Sequence, residues 1–319
     1  MSATILVTGA SGFVGNALMA AAAGRHLRRA LRQPALHPLP DDVVVGDIGH
    51  DTDWGSALSG VDCVVHLAAR THILGNDDAE ALAMYHDVNV EGTRRLARKA
   101  ADSGVKRFVF LSSIKVNGEA TLDKPFKETD LPAPQDSYGI TKRDAENVLR
   151  AICAESKMEW VILRPPLVYG PGVKGNFLRL LKIIFSGLPL PLASLENRRS
   201  LIHVANLADA LITCIDNPAA AGHIWLASDV EGVSTPELIR KLSAAMDRPA
   251  RLLPCPLTLL KLGAALCRQT EAINRLSGSL AVDSSNLRHT LGWRPRIPLD
   301  QGLIDTARWY HRTQIEQRH

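Results

Sequence analysis

Cysteine is scarce and unpaired in this chain: Cys63, Cys153, Cys214, Cys255 and Cys267 are far apart, odd in number and without a C-x-x-C motif. Such a set excludes a disulfide framework and a zinc site and reads as reduced, mostly buried thiols; no metal centre is expected. No apolar run reaches the roughly 18 to 20 residues needed to span a bilayer. No basic segment opens the chain, because Met1 to Ala10 runs straight into a strand and a glycine loop; the expectation is a cytoplasmic protein without a secretory signal. Charge of one sign is not in excess either: a net +4, spread along the chain, argues against nucleic acid and suits a small anionic substrate. Internal repeats and low-complexity segments are absent.

What is present is an ordinary globular composition, 46% apolar and 22% charged over 319 residues, long enough for a main domain with a smaller one appended. Short apolar strands alternate with helical stretches: Thr4 to Thr8, a helix from about Phe13, Val43 to Gly46, Cys63 to Leu67, a helix near Ala79 to Ala101, and Arg107 to Leu111. A helix near Tyr138 to Ala154 and a strand at Trp160 to Arg164 follow. That rhythm predicts an α/β fold with a Rossmann doubly wound parallel sheet over residues 1–165. Beyond Pro165 and Pro166 the rhythm breaks at turn and proline clusters. Residues 166–319 therefore read as a smaller C-terminal α/β substrate lobe, with some segments returning to the first domain. The most apolar stretch, Leu252 to Leu266, could contact a membrane surface; prolines at 254 and 256 interrupt it, and a core helix at Leu257 to Cys267 explains it more simply.

Residues 4 to 15 form an apolar strand, three glycines at spacing three, and the start of an alanine-rich helix. Gly9 permits the tight turn, Gly12 lets backbone amides approach a pyrophosphate, and Gly15 lets helix pack on strand. A dinucleotide is the implied ligand. After the second strand an acidic residue would bind the adenosine ribose of NAD. Residues 1 to 40 contain no Asp or Glu, while Arg25, Arg28, Arg29 and Arg32 crowd that segment, Arg32 nearest the strand end. An arginine there can pair with a 2′-phosphate, so NADP(H) is favoured and NAD(H) possible. Arg25 and Arg28 read as a solvated face. Asp47 could accept the adenine amino group or serve an ordinary turn.

Tyr138 and Lys142 stand four apart, on one face of a helix. Bringing a tyrosine from near 10 toward 7 needs about 4 kcal/mol of preferential phenolate stabilisation. The lysine charge and the positive ring of an oxidised nicotinamide are its expected sources. Tyr138 is then a general base in oxidation and a general acid in reduction. Immediately upstream, the strand Arg107 to Leu111 ends in Ser112-Ser113-Ile-Lys-Val-Asn-Gly118.

These segments, with Thr8-Gly9-Ala-Ser-Gly-Phe-Val-Gly15, Val65-His-Leu-Ala-Ala69, Asn89-Val-Glu-Gly-Thr93 and Arg164-Pro-Pro-Leu-Val-Tyr-Gly-Pro171, carry a family resemblance nearly end to end. The chain resembles the extended short-chain dehydrogenase/reductases of the nucleotide-sugar epimerase and dehydratase group. The resemblance implies that Ser113 hydrogen-bonds the reacting oxygen, that Lys142 also holds the nicotinamide ribose, and that Asn89 braces the helix beneath the site. It implies cofactor contacts at Ser11, Phe13, Val14, Ile48, Leu67, Ala68, Ala69 and Pro165, and a packing role for His66. Arg199 would bind the substrate diphosphate and Arg275 would be a second such arginine. Asn176 and Phe177 would open the substrate-covering helix, and Pro189 to Leu192, Pro191 included, would lie under the uracil. A homodimer is implied through the helices near Ala79 to Ala101 and Tyr138 to Ala154.

The family commonly has Val-Tyr-Gly where this chain has Val116-Asn117-Gly118, which resembles a subgroup containing reductases that form UDP-N-acetylquinovosamine. Leu280 stands where glucose-restricted epimerases place a tyrosine, leaving room for an N-acetyl group. The first expectation is thus a 4-reductase of a UDP-4-keto-6-deoxy-N-acetylhexosamine. The alternative is a UDP-glucose or UDP-N-acetylglucosamine 4-epimerase. Dehydration is disfavoured, because Ile114 and Lys115 replace the acidic pair of family dehydratases. A non-catalytic NADP-sensing regulator is remote, since the serine, tyrosine and lysine are all kept.

Overall fold

The computed structural model describes residues 3–71, 79–229, 232–266 and 270–316. Nine strands are described: β1 Thr4–Thr8, β2 His26–Leu31, β3 Val43–Val44, β4 Cys63–His66, β5 Arg107–Leu111, β6 Glu159–Arg164, β7 Leu167–Tyr169, β8 Leu201–His203 and β9 His223–Leu226. The helices of the first half are α1 Phe13–Ala21, α2 Gly55–Leu58, α3 Ala79–His86, α4 Gly92–Asp102 and α5 Ser137–Ala154. Those of the second half are α6 Gly175–Ser186, α7 Val204–Asp216, α8 Thr235–Ala245, α9 Leu257–Leu266, α10 Thr270–Ser277, α11 Ser285–Leu291 and α12 Leu299–Glu316.

Seven strands form one sheet, parallel throughout, in the order β3-β2-β1-β4-β5-β6-β9, and β7 pairs with β8 in a separate parallel pair. β1 and β4 are buried at every residue, as expected of central strands covered by helices on both faces. One layer of core joins β1, β4, β5 and β6 to α1, α7 and α11; the other packs α2, α4 and α5 on the opposite face. A third cluster, built from α6, α8 and α12, forms the C-terminal lobe. Residues beyond 166 contribute to the first layer through Leu207, Leu211, Trp225, Leu287 and Trp293.

α4 shows how patterning selects a face. Thr93, Leu96, Ala97 and Ala100 are buried at helical spacing, and Arg94, Arg95, Arg98 and Lys99 take the other side. Three expectations are corrected. The helix near Ala79 to Ala101 is divided by a π-helical stretch, Asp87–Glu91, which turns Asn89 and Val90 inward. The strand beginning at Val43 covers only two residues. The apolar helix at Leu257 forms, but Leu257, Leu259 and Leu262 are exposed, so it is not a core helix.

The crossing of α1 over β1 depends on Gly15, where a Cβ would sit 2.2 Å from the Gly9 carbonyl oxygen. Gly15→Ala must separate strand and helix, an overpacking cost of about 1–3 kcal/mol. We expect a melting temperature several degrees lower and a loss of dinucleotide binding, measured by thermal melts with and without NAD; an unchanged melt would refute this packing role.

Candidate active site

The glycine loop meets the end of β4. Gly9 has φ +67°, and a Cβ there would lie 2.8 Å from the Ala68 amide nitrogen, so only glycine allows the loop to rest on Leu67, Ala68 and Ala69. Gly12 donates its N–H to the Gly9 carbonyl at 2.9 Å and caps α1 without any side-chain bond. The first helical bond is Asn16 to Gly12, so the amides of Phe13, Val14 and Gly15 precede the ladder. Ser11 and Gly12 are exposed at the tip. An exposed cradle of backbone amides at a helix N-terminus with no acid in its first turn fits a dinucleotide pyrophosphate.

Of the four arginines beyond α1, three are engaged structurally. Arg25 pairs with Asp216 at 2.7 Å, and Arg29 donates to Asp42 at 2.6 Å. Arg28 is half-buried and donates to the carbonyls of Ala57 and Ser59, which corrects its reading as a solvated face. Arg32 follows β2 directly and pairs with Asp47 at 3.0 Å, both side chains exposed (74% and 86%). Ile48 packs beneath Gly92, where a Cβ would come within 2.6 Å of its side chain.

The catalytic candidates come from two elements. Ser112 and Ser113 follow β5; Tyr138 and Lys142 lie on α5, whose N-cap Asp136 accepts from the Gly139 amide at 2.7 Å. Ser112 is buried and donates to Glu146. Ser113 is half-exposed, with its hydroxyl accepting from the Lys115 amide at 3.3 Å. Between the two serines, only Ser113 has a hydroxyl directed away from the core. Pro165 is buried beside it and accepts from the Ile114 amide at 3.0 Å.

Burial acts on both ionisable groups of the site. Burial raises the Tyr138 phenol above its ordinary value, with the charges of Asp136 and Tyr85 adding to the rise. Lys142 is 1% exposed, and burial brings its ammonium down to about 7, partly opposed by Glu146. Its Nζ lies 4.0 Å from the Phe110 ring centre. Burial within the polypeptide thus opposes ionisation of the Tyr138 phenol.

His66 is fully buried and stacks on Phe110. Thr93 donates to the Asn89 carbonyl and Thr8 accepts from the Ala68 amide, so the network assigns the His66 proton to Nε2 and leaves Nδ1 accepting from Thr8. Burial, then the Lys142 charge, pulls its pKa down to about 3. It joins β1, β4 and α4 as a neutral ring. Asn89 accepts from the Arg70 amide and donates to the Arg70 carbonyl and Thr141, whose hydroxyl donates to the Tyr138 carbonyl.

In the C-terminal lobe Arg199 is half-buried and donates to the Gly278 carbonyl at 3.0 Å, with burial lowering its pKa. Asn176 is exposed in the first turn of α6, while Phe177 is buried against Tyr169. Pro191 is exposed beside the segment paired with Leu252. Arg275 belongs to α10, but its side chain lies outside the described residues. Leu280 is buried with Ile114, Leu226 and Val282, so it backs the serine segment rather than lining an open pocket. Among the described residues no cluster of three or more His, Cys, Asp or Glu could hold a metal.

Sequence reasoning missed a buried ion pair beneath this site. Arg164 Nε donates to Glu146 at 2.9 Å, Nη2 donates to the second carboxylate oxygen, and Nη1 donates to Asn117 Oδ1 at 2.9 Å. The available signal was the spacing Tyr138, Lys142, Glu146, which repeats every four residues along one helix face. Asn117, the departure from the family's tyrosine, is thereby the partner of a buried guanidinium.

The sheet order, the glycine cradle and the serine, tyrosine and lysine on neighbouring elements define an extended short-chain dehydrogenase/reductase. The family model described as "NAD dependent epimerase/dehydratase family" matches residues 5–227, and the chain belongs to that family, so it is an enzyme. It is 45% identical to a UDP-glucose 4-epimerase of Vibrio cholerae over 316 residues, 96% of this chain and 95% of the relative. It is 31% identical to an N-acetyl-α-D-glucosaminyl-diphospho-ditrans,octacis-undecaprenol 4-epimerase of Escherichia coli O157:H7, covering 97% and 96% of the two chains. The solved structure of MoeE5 with UDP-glucose and NAD superposes with a TM-score of 0.77 at 25% identity, covering 98% and 99%.

Two outcomes test this geometry. His66 in the fold takes a proton only near pH 3 but in the unfolded chain near 6.5. Between those values the unfolded state binds more protons, so stability is complete above about 6.5 and falls as pH drops, by up to about 1.4 kcal/mol per pH unit. Urea melts from pH 7 to 4 should show this slope, reduced in His66→Gln. Glu146→Ala leaves Arg164 buried without its counter-ion and should cost about 3–5 kcal/mol. Glu155→Ala, which breaks the exposed pair with Arg98, should cost under about 1 kcal/mol; equal losses would refute the assignment.

Proposed function

We propose that the chain is a 4-epimerase of UDP-linked hexoses, of the UDP-glucose or UDP-N-acetylglucosamine class, working with NAD. The observation that carries this reading is the 45% identity to the Vibrio cholerae UDP-glucose 4-epimerase across 96% of the chain. It displaces the 4-reductase to which the Val-Asn-Gly segment pointed, and no acid follows Ser113 to favour dehydration.

Tyr138 takes the proton of the sugar's C4 hydroxyl and returns it to the same oxygen once the 4-keto sugar has turned its other face to the site of hydride return, while Ser113 holds that oxygen by hydrogen bond. The nicotinamide supplies hydride removal and return and, when oxidised, the positive charge that lowers the phenol. Lys142, which burial brings to about 7, would hold the nicotinamide ribose and could pass a proton between it and the phenol. Arg199 grips the diphosphate, with Arg275 as a second candidate, while Asn176 and Pro191 lie on the elements that enclose the nucleotide. Desolvation at Arg199 strengthens its hold on an anion.

The carboxylate of Asp47 beside Arg32 supports NAD over NADP, because it would repel a 2′-phosphate that approached this arginine, and the MoeE5 structure with NAD supports the same choice. A homodimer across α4 and α5, as the family resemblance implies, belongs to the same reading. A second reading, a sugar carried on a polyprenyl diphosphate, is supported by the Escherichia coli relative and by the exposed leucines of α9. The diphosphate contacts would be the same.

The test is incubation with UDP-glucose and UDP-N-acetylglucosamine without added reductant. Galacto products should form without net NAD(P)H consumption, and Tyr138→Phe should lower turnover about 10²–10⁴-fold with bound NAD unchanged. One-for-one oxidation of NADPH with a 4-keto sugar, or full activity of Tyr138→Phe, would overturn the proposal.

A further inference from the structure

α9 reads Leu-Thr-Leu-Leu-Lys-Leu-Gly-Ala-Ala-Leu, the composition of a helix meant for a core or for lipid. Yet Leu257 is 41% exposed, Leu259 59% and Leu262 61%, while Leu260 is the one buried leucine among the described side chains of α9. The chain entering α9 adds Leu253, 53% exposed. That entering segment pairs through backbone bonds at Leu190 and Leu253 with the stretch after α6, which presents Leu188, 59% exposed. Five exposed leucines on linked segments of one lobe exceed the single scattered apolar residues normal for a surface.

The charges on the segments that carry these leucines, and on α6, are basic. Between Asp247 and Glu271 the sequence carries Arg248, Arg251, Lys261 and Arg268 and no acid. α6 and its N-cap carry Lys174, Arg179 and Lys182 and again no acid. Arg251, Lys261 and Lys182 are exposed, and Arg248 lies over Phe185 of α6, 4.8 Å from the ring centre. A second copy of the chain on this face would set like charges against each other. A bilayer of anionic phospholipid offers the complement of both features, acyl chains for the leucines and phosphates for the cations.

We propose that α9, with Leu188 and Leu253, docks the C-terminal lobe peripherally on an anionic phospholipid surface. α9 packs on α10, which leads into Gly278, the residue whose carbonyl receives Arg199. Docking therefore sets the diphosphate-binding side of the enzyme close to the headgroup plane. The inference holds whichever carrier bears the sugar, so it stands or falls separately from the 4-epimerase assignment.

The test is co-sedimentation of the full chain with vesicles of phosphatidylglycerol and phosphatidylcholine. The wild type should sediment with phosphatidylglycerol vesicles and far less with phosphatidylcholine alone, and added salt should weaken the association. Leu259→Glu with Leu262→Glu should reduce binding at least tenfold, and Lys261→Glu several-fold, with turnover of a water-soluble UDP-sugar and the far-UV circular dichroism unchanged. Wild-type protein remaining in the supernatant, or variants sedimenting equally well, would overturn the proposal. So would a face that fails to bind vesicles but, when mutated, halves the particle mass, which would make it an interface between copies.

Discussion

Arg164 and Glu146 sit against each other almost without solvent, and the arrangement of the site depends on that contact. Two charges removed from water cost several kcal/mol each unless nearly every donor and acceptor is met. Here the guanidinium reaches Glu146 through two nitrogens and Asn117 through a third, and Glu146 also accepts from Ser112. The pair ties the end of β6 to the second turn beyond Tyr138 on α5, with Lys142 between. It thereby fixes both rotation and height of the helix that carries the tyrosine. It also consumes the Ser112 hydroxyl, which leaves Ser113 as the serine that can face a substrate.

The parallel sheet, the glycine cradle and the Tyr138, Lys142 pair were legible because each is local: a strand period, a spacing of three, a spacing of four. Arg164 and Glu146 are 18 residues apart on different elements, and no local period links a strand end to a helix middle. The π-helical Asp87–Glu91 escaped for a related reason. One extra residue in a turn leaves the apolar pattern nearly intact while rotating Asn89 toward Arg70 and Thr141. Arg28 looked solvated because strand β2 lies near the sheet edge, yet the carbonyls that end α2 capture its guanidinium. The exposed α9 was misread because apolar composition reports a preference for leaving water, not which apolar phase receives it.

Burial acts in opposite directions on Tyr138 and Lys142. It raises the phenol of Tyr138 and lowers the ammonium of Lys142, since each charged form loses hydration. The polypeptide therefore stores a neutral tyrosine beside a lysine poised near neutrality. An oxidised nicotinamide, if held beside these two residues as proposed, would supply the positive charge that favours the phenolate, and Tyr138 would then serve as a base only with the oxidised cofactor in place.

Two acids that meet the serine segment through Lys115 bear on dehydration. Asp136 accepts from the Gly139 amide as N-cap of α5 and pairs with Lys115; Glu119 meets the same ammonium at 3.0 Å. Burial works against ionisation of Asp136, but the lysine and the amide outweigh it and hold its carboxyl below the ordinary value. Lys115 is likewise raised above its own ordinary value by the two carboxylates, against the effect of burial. A carboxylate so held is a poor proton donor to a departing hydroxyl. Elimination needs an acid beside the reacting carbon, and these two are committed to anchoring the serine segment to α5. In the 4-epimerase proposed above, a phenol and a hydroxyl would move a proton off and back onto a single oxygen, and the remaining demand on the protein would be room for the keto sugar to turn over.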